Sequence, residues 1–503
     1  MTLLHRSMRA LAAAALVLAA TTACAEAPRT APPPEPRPAA TQAPGAASGN
    51  AGAQAATQGP QAASYGLTGA VGYAVIDART GERLAALEAA TPFAPASVAK
   101  APTALYALER LGLDHRFATT ARALGPIEGR RILGDLALVG GGDPELDSAD
   151  LAALARDAAQ AVARVEGGLV VRAGPVAPLI DADQPERAAY NPAVAALNLN
   201  FNRVRLRWTR DGAVALLAQS DRHSPETRAV RLETAPKECG CPALAYAADA
   251  RGEGWRVREG ALSGDGALWL PVRAPAAYAA DVFRTAAEGA GMVFGAAAAE
   301  GAGGAAAEGA TVARRLSRPL EEIVVDMLDH STNLTAEVLG IAATREGGET
   351  GSGMAASAAA MNRWAAGRLE APLDAEIAFD NHSGLSARSR VSPRRMAELL
   401  AAAYRADPAG FAALLPRHAF DEEAPEGAVA HAKTGTMDFV RGLAGYVFTP
   451  SGRVLAFAYF ANDMARRDAT PEIDGSRIGA RTWRNRAVTL ESALLADWTR
   501  RFD

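Results

Sequence analysis

The sequence predicts an α/β protein: a discontinuous domain of antiparallel sheet flanked by helices, interrupted by a large inserted region that is mainly β or α+β. Three observations carry this reading. Three short motifs, Ser97-Val-Ala-Lys100, Ser331-Thr-Asn333 and Lys433-Thr-Gly-Thr436, stand far apart yet hold complementary chemistry. Directly after the third, Gly445-Tyr-Val-Phe448 and Val454-Leu-Ala-Phe-Ala-Tyr-Phe460 flank the turn Thr449-Pro-Ser-Gly452, the pattern of paired strands. If the motifs share one pocket, residues about 66–118 and 316–503 fold together and residues about 119–315 are an insertion, with room for a nested subdomain. A chain of 503 residues, 49% apolar, can fill more than one core.

The elements follow in chain order. His5, Arg6 and Arg9, the apolar run Ala10 to Ala20 and the small residues around Ala25 predict an export signal over residues 1–25, too short to span a bilayer. Lipid anchoring at Cys24 is the alternative, disfavoured because Thr21 stands where a lipobox carries a bulky aliphatic residue. Residues 26–65, rich in Pro, Ala, Gln and Gly, predict a disordered tether that cannot offset its ordering entropy by burial. Thr68 to Asp77 alternates as a strand, and Asp77-Ala-Arg-Thr-Gly-Glu82 is its hairpin turn. An apolar helix follows Ser97, but Pro102 crowds the carbonyl of Val98, so residues 97–101 are expected to form a tighter opening turn. Within the insertion, an Ala-rich helix from Asp150 to Arg164 precedes the strand Gly167-Gly-Leu-Val-Val171. Asn202 to Trp208 alternates cleanly, and Leu216, Trp255, Val257 and Leu268-Trp-Leu270 mark further small sheet elements. Gly289 to Gly309 is nearly all Ala and Gly, where pattern does not separate helix from loop. Leu320 to His330 is an amphipathic helix that ends before Ser331.

Composition narrows the function. With 52 basic and 56 acidic residues the net charge is −4, no footprint for nucleic acid, and the Arg runs at 203–210 and 388–395 read as solvated faces. Seven histidines and three cysteines show no metal-ligand spacing, so no metal or other cofactor is expected. Cys239-Gly-Cys241 reads as an exposed turn with two thiols or a local disulfide.

The motifs point to serine acyl transfer. Residues three apart on a helical turn share a face, so Lys100 can lie beside the hydroxyl of Ser97 and, when neutral, take its proton. Desolvation and the positive charge of Lys433 would supply that neutrality. Lys433 can also attract a terminal carboxylate, Thr434 and Thr436 can donate hydrogen bonds to it, and Gly435 lets a substrate approach the strand closely. The oxyanion is expected between backbone N–H groups near Ser97 and Thr436. Glu337 is expected either to bond the motif backbone or to remain exposed. Asp143, in Gly140-Gly-Gly-Asp-Pro144, is first a turn residue and second a substrate contact.

Beyond the three motifs, Leu138-Val-Gly-Gly-Gly-Asp-Pro-Glu-Leu146, Tyr190-Asn-Pro-Ala-Val-Ala-Ala-Leu-Asn-Leu-Asn-Phe-Asn202, Asn333-Leu-Thr-Ala-Glu337 and His382-Ser-Gly-Leu-Ser386 complete a wider pattern. From about Tyr65 to the C-terminus the chain resembles the penicillin-binding D-alanyl-D-alanine carboxypeptidase/endopeptidases of low-molecular-mass class C, the serine peptidases of the DacB group. The resemblance implies a transpeptidase-like domain with a large insertion, action on peptidoglycan stem peptides in the periplasm, and acylation by beta-lactams. It implies that Ser331 helps to shuttle the proton and that Asn333 holds both Lys100 and the substrate amide. Two departures bear on specificity. Ala387 stands where relatives carry a basic residue, and Asp438 puts an acid where a small residue is frequent, so Asp438 is expected to repel an acceptor carboxylate. Other readings on the same fold are a catalytically weak scaffold that holds peptidoglycan and a beta-lactamase or esterase using the same serine.

Overall fold

The organising element is a six-stranded sheet in which apolar side chains alternate between two buried faces. Its strands are Ala70–Asp77 (β1), Arg83–Leu87 (β2), Arg417–His418 (β3), Val429–Met437 (β4), Val440–Phe448 (β5) and Val454–Asn462 (β6). Their order is β2-β1-β6-β5-β4-β3, with every neighbour antiparallel. The structure, a computed structural model, describes residues 60–503 except 176, 297–298, 301–308, 350–352, 374, 409, 421–423 and 474–475. The expected export signal lies outside the described residues, as does most of the expected tether. The end of that tether does not match: Ala62–Tyr65 forms a 3-10 turn whose Ala62 and Tyr65 pack against the core.

The central strands β5 and β6 are buried along almost their whole length, which is why they read as continuous apolar runs. On one face Ala74, Ile76, Ala444, Tyr446, Ala456, Ala458 and Phe460 meet the helices Lys100–Leu111 (α1), Leu320–His330 (α2), Asn333–Glu346 (α3), Met354–Arg368 (α4) and Pro393–Ala406 (α5). On the other face Val71, Val75, Leu443, Val447, Leu455, Phe457 and Tyr459 meet the C-terminal helix Ala480–Arg501 (α6) through Trp483, Leu490, Leu494 and Trp498. The period of two sends neighbouring residues of one strand into two different cores. Among the described residues no helix is long and apolar enough to cross a membrane.

A separate core is built wholly from residues 121–313. Its five-stranded sheet runs Ala299–Glu300, Leu169–Arg172, Asp135–Val139, Ala118–Leu124, Ala310–Leu316, with the second and third strands parallel. The helix Ser148–Ala161 lies between those two strands in sequence, as a parallel crossover requires. The helix Pro275–Gly289 packs beside it through Tyr278, Val282 and Phe283. The region also holds a four-stranded sheet of two-residue strands (Val293–Phe294, Arg164–Val165, Arg131–Ile132, Ile127–Glu128) and two three-stranded sheets, one holding Arg203–Trp208 and one holding Gly252–Arg258 with the buried Trp255. Cys239 and Cys241 are joined by a disulfide on an exposed turn. The basic run at 203–210 is not simply a solvated face: Arg203 is largely buried, stacked on Phe201 and Trp269.

Leu138 sits at the centre of this second core with no exposed surface. Leu138→Ala removes its side chain from a packed site, and the unfolding transition of the second core should lose about 2–5 kcal/mol, read by urea titration of Trp255 fluorescence. An unchanged midpoint would show that this core is not packed as described.

Candidate active site

Ser97 is presented by a turn that Pro102 forces to be tight. Ala96–Ala99 is 3-10 and the α-helix begins only at Lys100, so the carbonyl that Pro102 would crowd lies in the 3-10 turn. Ser97 is half-buried at the cleft floor, and Lys100 follows it fully buried.

Lys100 Nζ has three neighbours at hydrogen-bond distance: Ser97 Oγ at 2.9 Å, Asn333 Oδ1 at 2.8 Å and the Ser383 carbonyl at 2.8 Å. Two of these oxygens, an amide and a backbone carbonyl, can only accept. A neutral amine has two N–H groups and one lone pair; once the two acceptors are served, the lone pair is left for the Ser97 hydroxyl. The environment favours that neutral form. Burial pushes the Lys100 pKa well below the usual lysine value, Lys433 adds to the shift, and Glu337 opposes it.

The acceptors are held from behind. Asn333 opens α3, and its Nδ2 donates to the Tyr190 carbonyl at 3.0 Å, so a residue outside the six-stranded unit fixes the amide's orientation. Ser331 sits in the left-handed region between α2 and α3 and lines the cleft. Glu337 is buried and accepts the N–H of Ser383 at 2.8 Å and of His382 at 3.2 Å, which turns the Ser383 carbonyl toward Lys100. Of the two readings for Glu337, neither exposure nor a bond to its own motif is seen; it bonds the loop opposite. Burial raises its pKa, and the hydrogen bonds from Ser383 and His382 pull it back. The Ser383 carbonyl is the contact that motif reasoning missed, because a backbone atom leaves no residue-type signal. Gly384 is required beside it: a Cβ there would lie 1.9 Å from the Ala96 carbonyl.

The third motif closes the other side. Because β3 pairs with only Ala430 and His431, no strand among the described residues covers the outer edge of β4 from Lys433 to Met437. Gly435 serves the protein rather than a ligand, since a Cβ on it would stand 2.3 Å from the Pro95 carbonyl and 3.1 Å from the Ser97 nitrogen. Its absence lets β4 lie against the serine turn. Lys433 Nζ donates to the Thr434 carbonyl at 3.0 Å, is nearly buried, and has its pKa lowered to about 8, first by burial and then by Arg441. Arg441 is the second residue missed. It faces Thr436 across the β4–β5 ladder, donates to Thr436 Oγ1 at 3.1 Å and is held by Glu491 through two bonds of 2.7 and 2.6 Å. Thr434 is half-buried and outside the cleft lining, whereas Thr436 lines it.

The cleft has a volume of about 560 Å³. Ser97, Ser331, Asn333, Thr436 and Asp438 meet there, with Lys100 and Lys433 just beneath. Asp143 is not among its lining residues. Its carboxylate accepts the N–H of Glu145 at 2.9 Å and is buried, with a pKa pushed up to about 7 chiefly by burial, so the turn is its place and the substrate contact is dropped. Asp438 lines the cleft as a paired rather than a free carboxylate: its side chain accepts the N–H of Arg477 at 2.8 Å and lies 3.6 Å from that guanidinium. Arg388 is exposed, as expected of a solvated face, and there bridges Asp380 at 2.9 Å and Asp183 at 2.5 Å.

Gly435→Ala tests the contact between β4 and the serine turn. Adding a methyl group into backbone at that distance should destabilise the protein by about 1–3 kcal/mol, read by chemical denaturation. A variant as stable as wild type would mean that the strand does not touch the turn.

Comparison with known proteins agrees with this geometry. Residues 61–478 match the model of the D-Ala-D-Ala carboxypeptidase 3 (S13) family. A D-alanyl-D-alanine carboxypeptidase of Actinomadura sp. (strain R39) is 30% identical over 436 residues, covering 79% of this chain and 78% of the relative. The crystal structure of penicillin binding protein 4 from Haemophilus influenzae superposes with a TM-score of 0.70 at 19% identity, covering 87% of this chain and 99% of that one. The same protein complexed with a novel beta-lactam gives 0.67 over the same shares. The chain shares its fold with that penicillin binding protein 4 and belongs to the D-Ala-D-Ala carboxypeptidase 3 (S13) family.

Proposed function

We propose that the protein removes the terminal D-alanine from D-alanyl-D-alanine ends of peptidoglycan stem peptides, outside the cytoplasm, through an acyl-enzyme on Ser97. The observation that carries this reading is the set of contacts at Lys100, which leaves one lone pair for the serine hydroxyl. Ser97 gives its proton to Lys100 Nζ as Oγ bonds to the penultimate carbonyl carbon. The oxyanion is met by the backbone N–H groups of Ser97 and Thr436. The departing amine takes a proton relayed from Lys100 by way of Ser331, and the C–N bond breaks. Water then adds to the ester, giving one proton to Lys100, and the ester C–O bond breaks with return of a proton to Ser97. Asn333 positions Lys100 and the substrate amide. Lys433 and the Thr436 hydroxyl attract the terminal carboxylate, with the Arg441 charge behind them. The substrate backbone adds to the open edge of β4. Residues 66–118 and 316–503 form the acyl-transfer unit, and residues 119–315 form an accessory region that reaches it through the Tyr190 carbonyl.

Cleavage of D-alanyl-diaminopimelate crosslinks is a second reading, favoured by the pairing of Asp438 with Arg477, which removes the expected repulsion. A strained beta-lactam carbonyl fits the same oxyanion site and should acylate Ser97.

Intact-mass spectrometry after penicillin treatment should add one ligand mass to wild type and none to Ser97→Ala, and wild type should release D-alanine from pentapeptide muropeptides. An adduct on Ser97→Ala, or no D-alanine release, would refute the assignment. The charge on Lys433 gives a pH signature. Its amine is charged below about 8 and neutral above, so attraction for a carboxylate is present below that value and lost as pH rises through it. KM for peptides with a free terminal carboxylate should therefore rise above pH 8, and KM for the corresponding methyl esters should not; parallel profiles would count against the role of Lys433.

A further inference from the structure

Past Thr436 the cleft continues into a wall that the mechanism above does not use. Arg467, Arg477, Arg481 and Arg484 line it, with Asp438 and Glu472 as the acids among the lining residues, so four cations meet two carboxylates. Both acids are engaged by the same cation: Arg477 lies 3.1 Å from Glu472 and 3.6 Å from Asp438. Even so, Arg477 Nε is buried with no hydrogen-bond partner among the described residues. Arg467 donates to the main-chain carbonyl of Asp438 at 3.0 Å, and both its burial and the like charge of Arg477 disfavour its ionised form. An incoming anion would relieve that repulsion. Arg481 and Arg484 are exposed and three apart in the first turn of α6, hence on one face. The helix adds its own charge. Ala480 lines the cleft, and Gly479 before it brings no side chain to cap the first N–H groups of a 22-residue helix.

The direction of β4 says which part of a substrate arrives here. Lys433, at the start of the open edge, is the place for the terminal carboxylate, and Met437 and Asp438 lie at the other end of that edge. A chain laid along the edge therefore runs from its C-terminus at Lys433 toward its acyl-donor part at Asp438 and the arginines. We propose that Arg467, Arg477, Arg481 and Arg484 bind a carboxylate on the acyl-donor segment, upstream of the scissile bond, and make the enzyme selective for stem peptides in which that acid is free rather than amidated. This rests on the proposed use of Ser97 and the β4 edge. The arginines enter the cleft from Met464 to Arg484, after the last strand of the sheet, so they set specificity from outside the three motifs.

The test uses three synthetic tetrapeptides ending in D-Ala-D-Ala. One carries a carboxylate on the side chain of the residue before the D-Ala pair, one carries it a residue further from the pair, and one has carboxamides at both positions. Wild-type D-alanine release gives kcat/KM, and calorimetry on the Ser97→Ala protein gives affinity without chemistry. One of the acids should exceed the diamide by about tenfold in both, and which acid does so identifies the carboxylate that reaches the wall. The preference should weaken with added salt, fall toward one in the double variant Arg481→Ala/Arg484→Ala, and persist in Arg481→Lys/Arg484→Lys. Equal affinity of the Ser97→Ala protein for all three peptides would overturn the inference even if D-alanine is released. Acid preference in binding without D-alanine release would uphold the wall and refute the carboxypeptidase reading. If the double variant fails to fold, the wild-type peptide ratios and their salt dependence still decide.

Discussion

One buried amine sets the terms for the rest of the site. Lys100 has no exposed surface, and a charged ammonium in such a place loses several kcal/mol of hydration unless it is fully paired. Among the described residues no carboxylate hydrogen-bonds to it. It is surrounded by a hydroxyl, an amide oxygen and a backbone carbonyl, with a second lysine near enough to oppose its charge. Burial and like charge act in the same direction, so the fold favours a neutral amine beside the serine hydroxyl, the form that the proposed base role requires. His382, the one histidine in the adjoining loop, is buried, bonds Ser357 at 2.7 Å and has its pKa pushed down to about 3, which leaves it a neutral packing residue.

Much of the surrounding structure keeps that amine in its place. The Ser383 carbonyl is turned inward because Glu337 holds the backbone N–H groups of its loop, and the loop comes close because residue 384 is glycine. Asn333 is fixed from its other end by the Tyr190 carbonyl, so a residue of the 119–315 region helps to orient the amide that meets Lys100. On the far side, Gly435 allows β4 to rest on the serine turn, and the Arg441–Glu491 pair anchors the strand beneath Thr436. Three segments separated by hundreds of residues thus converge on a few atoms. The six-stranded sheet makes that convergence possible, because β1 leads into the serine turn while β4 carries the third motif.

The side chains of the site were legible in the sequence because the chemistry restricts them to few residue types. Ser97, Lys100, Ser331, Asn333 and Lys433 announce themselves by type and order, and Pro102 revealed even the tight opening turn. Strands were legible where both faces are buried, as in Val454 to Phe460, and where alternation is strict, as in Arg203–Trp208. What escaped were contacts that reside in the backbone or arise across strands. The carbonyls of Ser383 and Tyr190 carry no residue signature, and Arg441 reaches Thr436 only through a register that sequence does not print. Charge pairing was hidden for the same reason. The Arg477 that pairs with Asp438 lies some forty residues on, whereas the turn of Asp143, read first from Gly-Gly-Gly-Asp-Pro, is where the structure buries it.

The central claim is that Lys100 is neutral at working pH and offers its lone pair to Ser97. Selective isotope labelling of lysine side chains, with the Lys100 resonance assigned by substitution, allows its amine to be titrated directly by NMR in the folded enzyme. The account predicts a transition well below the ordinary lysine value, displaced upward in Lys433→Ala as the like charge is removed. A Lys100 amine that titrates near 10.5, unaffected by Lys433, would contradict it.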